Sequence, residues 1–301
     1  MSLRPRVAHA FASVSMDTSI NVQVVADQPR EAIEPAVQRA SAWFGAVERT
    51  CTRFDRRSEV MQLLDHVGAP VRVSTLLFEV VAFAQQLAEQ TGGAFDPTIG
   101  ASLEALGFNV NYISGEAIQS GLDAQAASYR DVRLDRRAQT ILLRRPVILD
   151  LNAVAKGLAI DLAARELREY ADVCVEAGGD LLVRGRNSSG ELWNIGIQHP
   201  RAEGVLAHTL QVTDTAVCTS GDYERRTGGL KSESHILDAR TRRSVANLAS
   251  VTVLAPTAMA ADGLSTAAMV LGREGGRSFL ERQGVRGVLI APDGATLMVN
   301  P

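Results

Sequence analysis

Apolar residues recur along this chain with two periods, and the switching between them divides it into helices and strands. From Phe11 to Val25, Val, Ser and Thr predominate, which predicts a strand or one arm of a hairpin. Ala36, Val37, Ala40, Trp43, Phe44 and Val47 then return at helical spacing, with Pro35 expected in that helix's first turn. A polar turn from Arg53 to Glu59 follows, and Met61, Leu63 and Leu64 come after it. Val71 to Val73 reads as a short strand. Ser74 is the natural N-cap of a helix running through Gln90, whose apolar face carries Leu77, Val80, Val81, Ala84, Leu87 and Ala88. Gly92 and Gly93 stop that helix, and Phe95 to Thr98 forms a loop because the residue before Pro97 resists the α region.

The second half is richer in strands. Residues 107 to 130 read as irregular, with a short helix expected near Asp123. Val132–Leu134, Thr140–Leu143 and Val147–Leu149 are predicted strands, followed by a helix from Val154 to Tyr170. Strands are then expected at Val173–Ala177, Leu181–Arg184, Trp193–Gln198, His208–Val212, Ala216–Thr219 and Ser250–Leu254, with a sharp turn at Gly178–Asp180 and a polar loop over 231–234. Helices over Met259–Leu271 and Gly275–Gln283 precede a closing strand pair, Val288–Ile290 and Thr296–Val299. Strands and helices mix without regular βαβ alternation, which predicts an α+β fold with mixed or antiparallel sheets and packed helices. No repeat or Pro/Gly-rich linker interrupts the pattern, so residues 1–301 read as a single compact domain.

Composition narrows the class. Of 301 residues 46% are hydrophobic and 22% charged, the balance of a globular protein, and aromatics at 5% imply a core of Val, Leu, Ile and Ala. A net charge of -3 and the lack of a basic stripe argue against nucleic acid as a partner. No apolar run approaches the ~20 residues of a membrane span. The chain as given shows no export signal, so it reads as cytoplasmic, or as exported if a leader has been removed. Cys51, Cys174 and Cys218 lack metal-ligand spacing and read as buried thiols.

Five stretches hold residues that can do chemistry. Asp150 to Asp161 (DLNAVAKGLAID) places an acid after an apolar run, with Lys156 and Gly157 at the start of a helix. Free N–H groups and the helix dipole favour an anion there, although an ordinary strand–turn–helix junction has the same pattern. Asp262 and Thr266 stand four apart on a helix, with Ser265 between, which sets a carboxylate and a hydroxyl on one face. That pair suits Mg²⁺, or equally a dipole-capping Asp beside a backbone-bonded Thr. His235, in Ser234 to Asp238, is a candidate general base or a surface histidine, with Asp238 able to orient it. Glu176 to Asp180 is a glycine turn that lets a ligand approach the backbone or simply reverses the chain. Thr219 to Arg225 offers hydroxyls and a cation but not the GxSxG spacing of a nucleophile elbow.

Taken in order, eight blocks resemble the ApbE-like flavin transferases (FAD:protein FMN transferases): Met16–Thr18, Phe54–Glu59, Gly93–Thr98, Asp150–Gly157, Ala177–Asp180, Thr219–Asp222, His235–Asp238 and Ala261–Thr266. Together the motifs span residues 16 to 272. The resemblance implies an ApbE-like α+β domain that takes FAD as substrate with Mg²⁺. It implies transfer of FMN to a Thr hydroxyl of an acceptor flavoprotein with release of AMP. Hydrolysis of FAD to FMN and AMP, or FAD binding without turnover, are the alternatives. It further implies Mg²⁺ ligands at the Ala153 carbonyl, Asp262 and Thr266, with Ser265 near. FAD contacts are implied at Met16, Phe54, Ala94, Phe95, Asp96, Asp150, Lys156 and Ile236, and a catalytic base at His235. Three blocks depart from the family pattern: Asp17 replaces Gly, Leu64 replaces Asn, and Ala239 and Arg242 replace Pro and Gly after Asp238.

Overall fold

The computed structural model describes residues 7–112, 114–123, 127–223 and 234–300. Its first elements are a hairpin, β1 (Val7–Ser15) and β2 (Thr18–Ala26), then α1 (Arg30–Cys51), α2 (Glu59–Gln62), β3 (Pro70–Arg72), α3 (Thr75–Gln90) and α4 (Gly100–Ala105). β4 (Val132–Asp135) and β5 (Thr140–Leu143) lead into α5 (Asn152–Glu166). β6 (Asp172–Ala177), β7 (Asp180–Arg184), β8 (Trp193–Gln198), β9 (Leu206–Val212) and β10 (Thr215–Gly221) follow. The chain closes with β11 (Leu237–Asp238), β12 (Arg243–Ser244), β13 (Ser250–Ala255), α6 (Ala258–Gln283), β14 (Arg286–Ile290) and β15 (Thr296–Val299).

Eight strands form one sheet in the order β1-β2-β6-β7-β10-β13-β14-β15, and every neighbouring pair is antiparallel. Successive side chains on a strand point to opposite faces, so the sheet's two covers can be read from parity. Val173, Val175, Ala216, Cys218, Val251 and Val253 face the helices, where Phe44, Leu77, Ile160 and Phe279 fill the core. The intervening Leu181, Val183, Val217, Leu254 and Val288 face Trp193, Ile197, Leu210 and Val212 of the separate β8–β9 hairpin. The α+β expectation is met, with the sheet buried on both sides. A three-stranded sheet, β3-β5-β4, stands apart. Among the described residues no helix is long and apolar enough to cross a membrane.

Most expected elements are present, and Ser74 caps α3 by accepting from the Leu77 N–H at 3.2 Å. Several expectations change. α1 begins at Arg30, so Pro35 lies inside it rather than in its first turn; packing of Ile33, Ala36 and Val37 outweighs the lost N–H. Val147–Leu149 is buried but is not a strand. Its backbone pairs instead with residues 97–100, a 3₁₀ turn (Pro97–Ile99) that runs into α4, through Gly100 N–H to Ile148 O at 3.1 Å and Asp150 N–H to Pro97 O at 2.7 Å. α5 starts at Asn152, so Lys156 sits a full turn into the helix rather than at its start. The described residues up to Asp123 are not helical, residues 124–126 of the helix expected near it lie outside the described residues, and α4 is an addition to the expected elements. The two helices expected at the end are one element bent at Gly272, whose φ is 72°. Residues 231–233 of the expected loop, and Glu224 and Arg225 of the hydroxyl-rich stretch, lie outside the described residues.

Candidate active site

α5 and α6 touch backbone to backbone. A Cβ on Gly157 would stand 2.4 Å from the Ala258 carbonyl oxygen, so only glycine permits this approach. Asp161 seals the contact, accepting from the N–H groups of Ala258 and Met259 at 2.7 and 2.9 Å where α6 begins. One turn further along α6, Asp262 Oδ2 accepts the Gly157 N–H at 3.0 Å. Beside it, the Ser220 hydroxyl at the end of β10 lies 2.7 Å from Ser265 Oγ and 2.9 Å from Thr266 Oγ1.

Of these groups Ser220, Asp262 and Thr266 line a cleft of 1020 Å³. Met16, Phe54, Phe95, Asp96, Asp150, Ala153, Lys156, His235, Ile236, Asp262 and Thr266 all line it, so residues from across the sequence converge on one space. Two expected site residues do not reach the wall. Ala94 is fully buried and accepts the Ala239 N–H at 2.9 Å, and Ser265 is fully buried with its hydroxyl donated to the Asp262 carbonyl at 2.8 Å.

Lys156 Nζ lies 2.7 Å from Asp180 Oδ2, while Asp180 Oδ1 accepts the Thr219 N–H at 2.8 Å. The glycine turn therefore ends in a carboxylate that fixes the lysine at the cleft wall. Asp150 accepts from the Asn152 N–H at 3.1 Å and from Arg53 Nε at 2.6 Å. The Arg53 guanidinium, in turn, covers the Phe54 ring at 4.1 Å. Burial pushes the Asp96 carboxyl up from its ordinary range, against donors from Thr98 and Tyr129 that pull it down. His235 is half-buried and meets Phe108 edge-on, with centroids 6.2 Å apart. Asp238 is engaged elsewhere: burial raises its pKa, but hydrogen bonds from Arg240 outweigh this and hold it below the ordinary value.

The sequence reading passed over three residues of this cleft. Arg53 looks like a surface charge in a polar turn yet is 3% exposed. Glu48 holds the hairpin tip, accepting from Ser15 Oγ at 2.9 Å and the Met16 N–H at 3.1 Å, and receives Tyr112 Oη at 2.5 Å. Ser220 was visible only as one hydroxyl among several. No local pattern marks any of the three, because their partners are distant in sequence.

The unusual positions have structural accommodations. Met16 and Asp17 both adopt positive φ, 55° and 60°, as a tight hairpin turn requires, and Asp tolerates this conformation. Arg242 takes φ 56°, a conformation that favours glycine, while its guanidinium bonds Ser102 Oγ at 2.8 Å and the Ala127 carbonyl at 3.2 Å. Ala239 supplies the N–H to Ala94 that a proline would lack.

Comparison with known proteins identifies the family and the fold. The ApbE family pattern matches residues 16–289. The FAD:protein FMN transferase of Rhodobacter capsulatus is 32% identical over 243 residues, covering 78% of this chain and 46% of that protein. The protein of the same name from Salmonella typhimurium is 32% identical over 238 residues, covering 75% and 68%. This chain thus spans less than half the length of the Rhodobacter relative. Among solved structures, the ApbE protein of Thermotoga maritima superposes with a TM-score of 0.85 at 28% identity over 97% of both chains. The flavin transferase ApbE from Vibrio cholerae gives 0.83 at 28% identity, over 98% and 97%. An antiparallel sheet with this helical cover and cleft is the fold of the ApbE flavin transferases. The chain belongs to the ApbE family.

Proposed function

We propose that this chain is an FAD:protein FMN transferase, moving FMN from FAD onto a threonine hydroxyl of an acceptor flavoprotein with Mg²⁺ as metal and AMP as leaving group. The observation that carries this reading is the convergence of Phe54, Lys156, His235 and Asp262 on one cleft of 1020 Å³. A space of that size suits a ligand as large as a dinucleotide.

The residues fit the parts of FAD. Phe54 has one ring face under Arg53, so an isoalloxazine would stack on the other. Lys156 offers positive charge to the diphosphate, at the cost of sharing Asp180. In the transfer, the acceptor hydroxyl oxygen forms a new bond to the FMN phosphorus and the bridging P–O bond to AMP breaks. The hydroxyl proton passes to the His235 imidazole.

A hard divalent cation fits the oxygen donors that line the cleft: the Asp262 carboxylate, the Thr266 hydroxyl and the Ala153 carbonyl. Among the described residues no three His, Cys, Asp or Glu side chains cluster, so neutral oxygens would complete the set. In an unbroken helix the Gly157 N–H would be aimed at the Ala153 carbonyl four residues earlier. Here the Asp262 carboxylate accepts that N–H at 3.0 Å, which brings the side chain up to the Ala153 turn of α5. When bound, the cation would supply Lewis-acid stabilisation of the departing phosphate charge.

The test is incubation with FAD, Mg²⁺ and an acceptor flavoprotein carrying its target Thr, followed by in-gel flavin fluorescence and intact mass. Covalent flavin on the acceptor supports transfer. Free FMN and AMP without labelling would make the protein an FAD hydrolase, unchanged FAD at stoichiometric occupancy a flavin carrier, and failure to bind FAD would end all three readings.

A further inference from the structure

We infer that Ser220 is a positioning residue that presets the Thr266 hydroxyl to accept a divalent cation. The inference rests on the reading of Thr266 as a metal ligand, and follows from counting protons. Ser265 Oγ donates to the Asp262 main-chain carbonyl at 2.8 Å. A carbonyl only accepts, so the single hydroxyl proton of Ser265 is committed there. Ser220 Oγ lies 2.7 Å from Ser265 Oγ, and with that proton committed Ser220 is the donor. Ser220 Oγ also lies 2.9 Å from Thr266 Oγ1. Ser220 has no second proton to give, so Thr266 donates. The order of donation runs Thr266 to Ser220 to Ser265 to the Asp262 carbonyl.

This direction matters at the cleft. A hydroxyl binds a cation through its lone pairs, and a hydrogen pointed at the metal opposes binding. Spending the Thr266 hydrogen on Ser220 leaves the oxygen's remaining tetrahedral directions for a cation in the cleft that Thr266 lines. Ser265 is fully buried and Ser220 is 7% exposed, so little water competes for these bonds. Ser220 ends β10 and Thr266 belongs to α6, so the chain also ties the helix to the sheet at this height. It gives the Thr219–Asp222 block a role that neither FAD contact nor proton transfer assigns to it.

The test uses Mn²⁺ as probe, with free Mn²⁺ counted by electron paramagnetic resonance in the absence of FAD and acceptor, and folding checked by circular dichroism. Ser220→Ala is expected to weaken Mn²⁺ binding about tenfold, the lower end of what residues supporting metal ligands contribute, and Ser220→Thr to restore it. Ser265→Ala frees the Ser220 proton to turn on Thr266 and is expected to weaken binding as well, although Ser265 does not line the cleft. If Ser220→Ala does not fold, Ser220→Cys, a near-isostere with a poor acceptor, takes its place and must show the same loss. Wild-type affinity in a folded Ser220 variant that lacks the hydroxyl overturns the inference. Asp262→Ala separates the two levels: if it too leaves Mn²⁺ affinity unchanged, the metal reading has failed, whereas loss in Asp262→Ala alone refutes only the role of Ser220.

Discussion

Gly157 donates its backbone N–H to Asp262 Oδ2 at 3.0 Å across 105 residues of sequence, and this one bond joins the two halves of the candidate site. It exists because α5 and α6 approach closely enough for a main-chain donor on one to reach a side chain on the other. The helix contact and the carboxylate's position are therefore one feature.

Gly157→Ala separates them by force. The added Cβ would lie 2.4 Å from the Ala258 carbonyl oxygen and 2.6 Å from Met259 Cα, and backbone on both sides cannot rotate aside. The helices must part, at an overpacking cost of about 1–3 kcal/mol. Urea unfolding should show that loss, together with weaker cation binding. Wild-type stability would mean that the α5–α6 contact is softer than its geometry implies.

Arg53 and Asp150 form the buried ion pair of the cleft floor, 2.6 Å apart with side chains 3% and 9% exposed. Arg53 also donates to the Phe108 carbonyl at 2.5 Å. Removing one partner strands the other charge, which costs about 3–5 kcal/mol when a buried pair is broken. Arg53→Ala should unfold at clearly lower denaturant and release the Phe54 ring from its covered face. A shift under about 1 kcal/mol would place the pair among weak surface bridges instead.

How far the site could be read from the chain depended on what kind of signal each part emits. Ser74 and the paired glycines before Asp180 were legible because caps and turns are local chemistry, whereas the stretch Phe11–Val25 read as one strand or hairpin arm and is in fact both arms of β1–β2 about the Met16–Asp17 turn. The apolar run Val147–Leu149 announced burial correctly but not conformation, since a buried segment can satisfy its backbone on a loop as well as on a strand. Arg53 and Glu48 gave no signal, and Ser220 only that of one hydroxyl in a polar block, because what makes them matter is a partner at a distance: Asp150, the Met16 turn, and Thr266. The eight motif blocks were visible in order, but only the fold shows that Ala94 and Ser265 support the cleft from behind rather than line it.

The cysteines yield a pH prediction. Burial pushes the Cys51 and Cys174 thiols up to about 12, and raises Cys218 as well. The thiolate is the reactive form, so at pH 8 only about one Cys51 or Cys174 in 10⁴ is ionised, against roughly a quarter at a free pKa near 8.5. Native protein should react slowly with Ellman's reagent at pH 8, roughly tenfold faster per pH unit above it, and release three equivalents on denaturation. Rapid native labelling of Cys51 or Cys218 would contradict their burial; Cys174, expected buried, is only half-buried.

His235→Ala tests the proton step apart from binding. The imidazole is half-buried beside Phe108 at the cleft, and Asp238 of the same block is bonded to Arg240. Losing a general base costs typically 10²–10⁴ in the chemical step, while the stacking face of Phe54 and the charge of Lys156 stay in place. FAD affinity, followed by quenching of flavin fluorescence, should change by less than threefold. Single-turnover flavinylation should slow by at least 10². A variant that binds and transfers at the wild-type rate removes His235 as the base. A variant that no longer binds FAD makes the residue part of the binding wall, with the proton accepted by another group in the cleft.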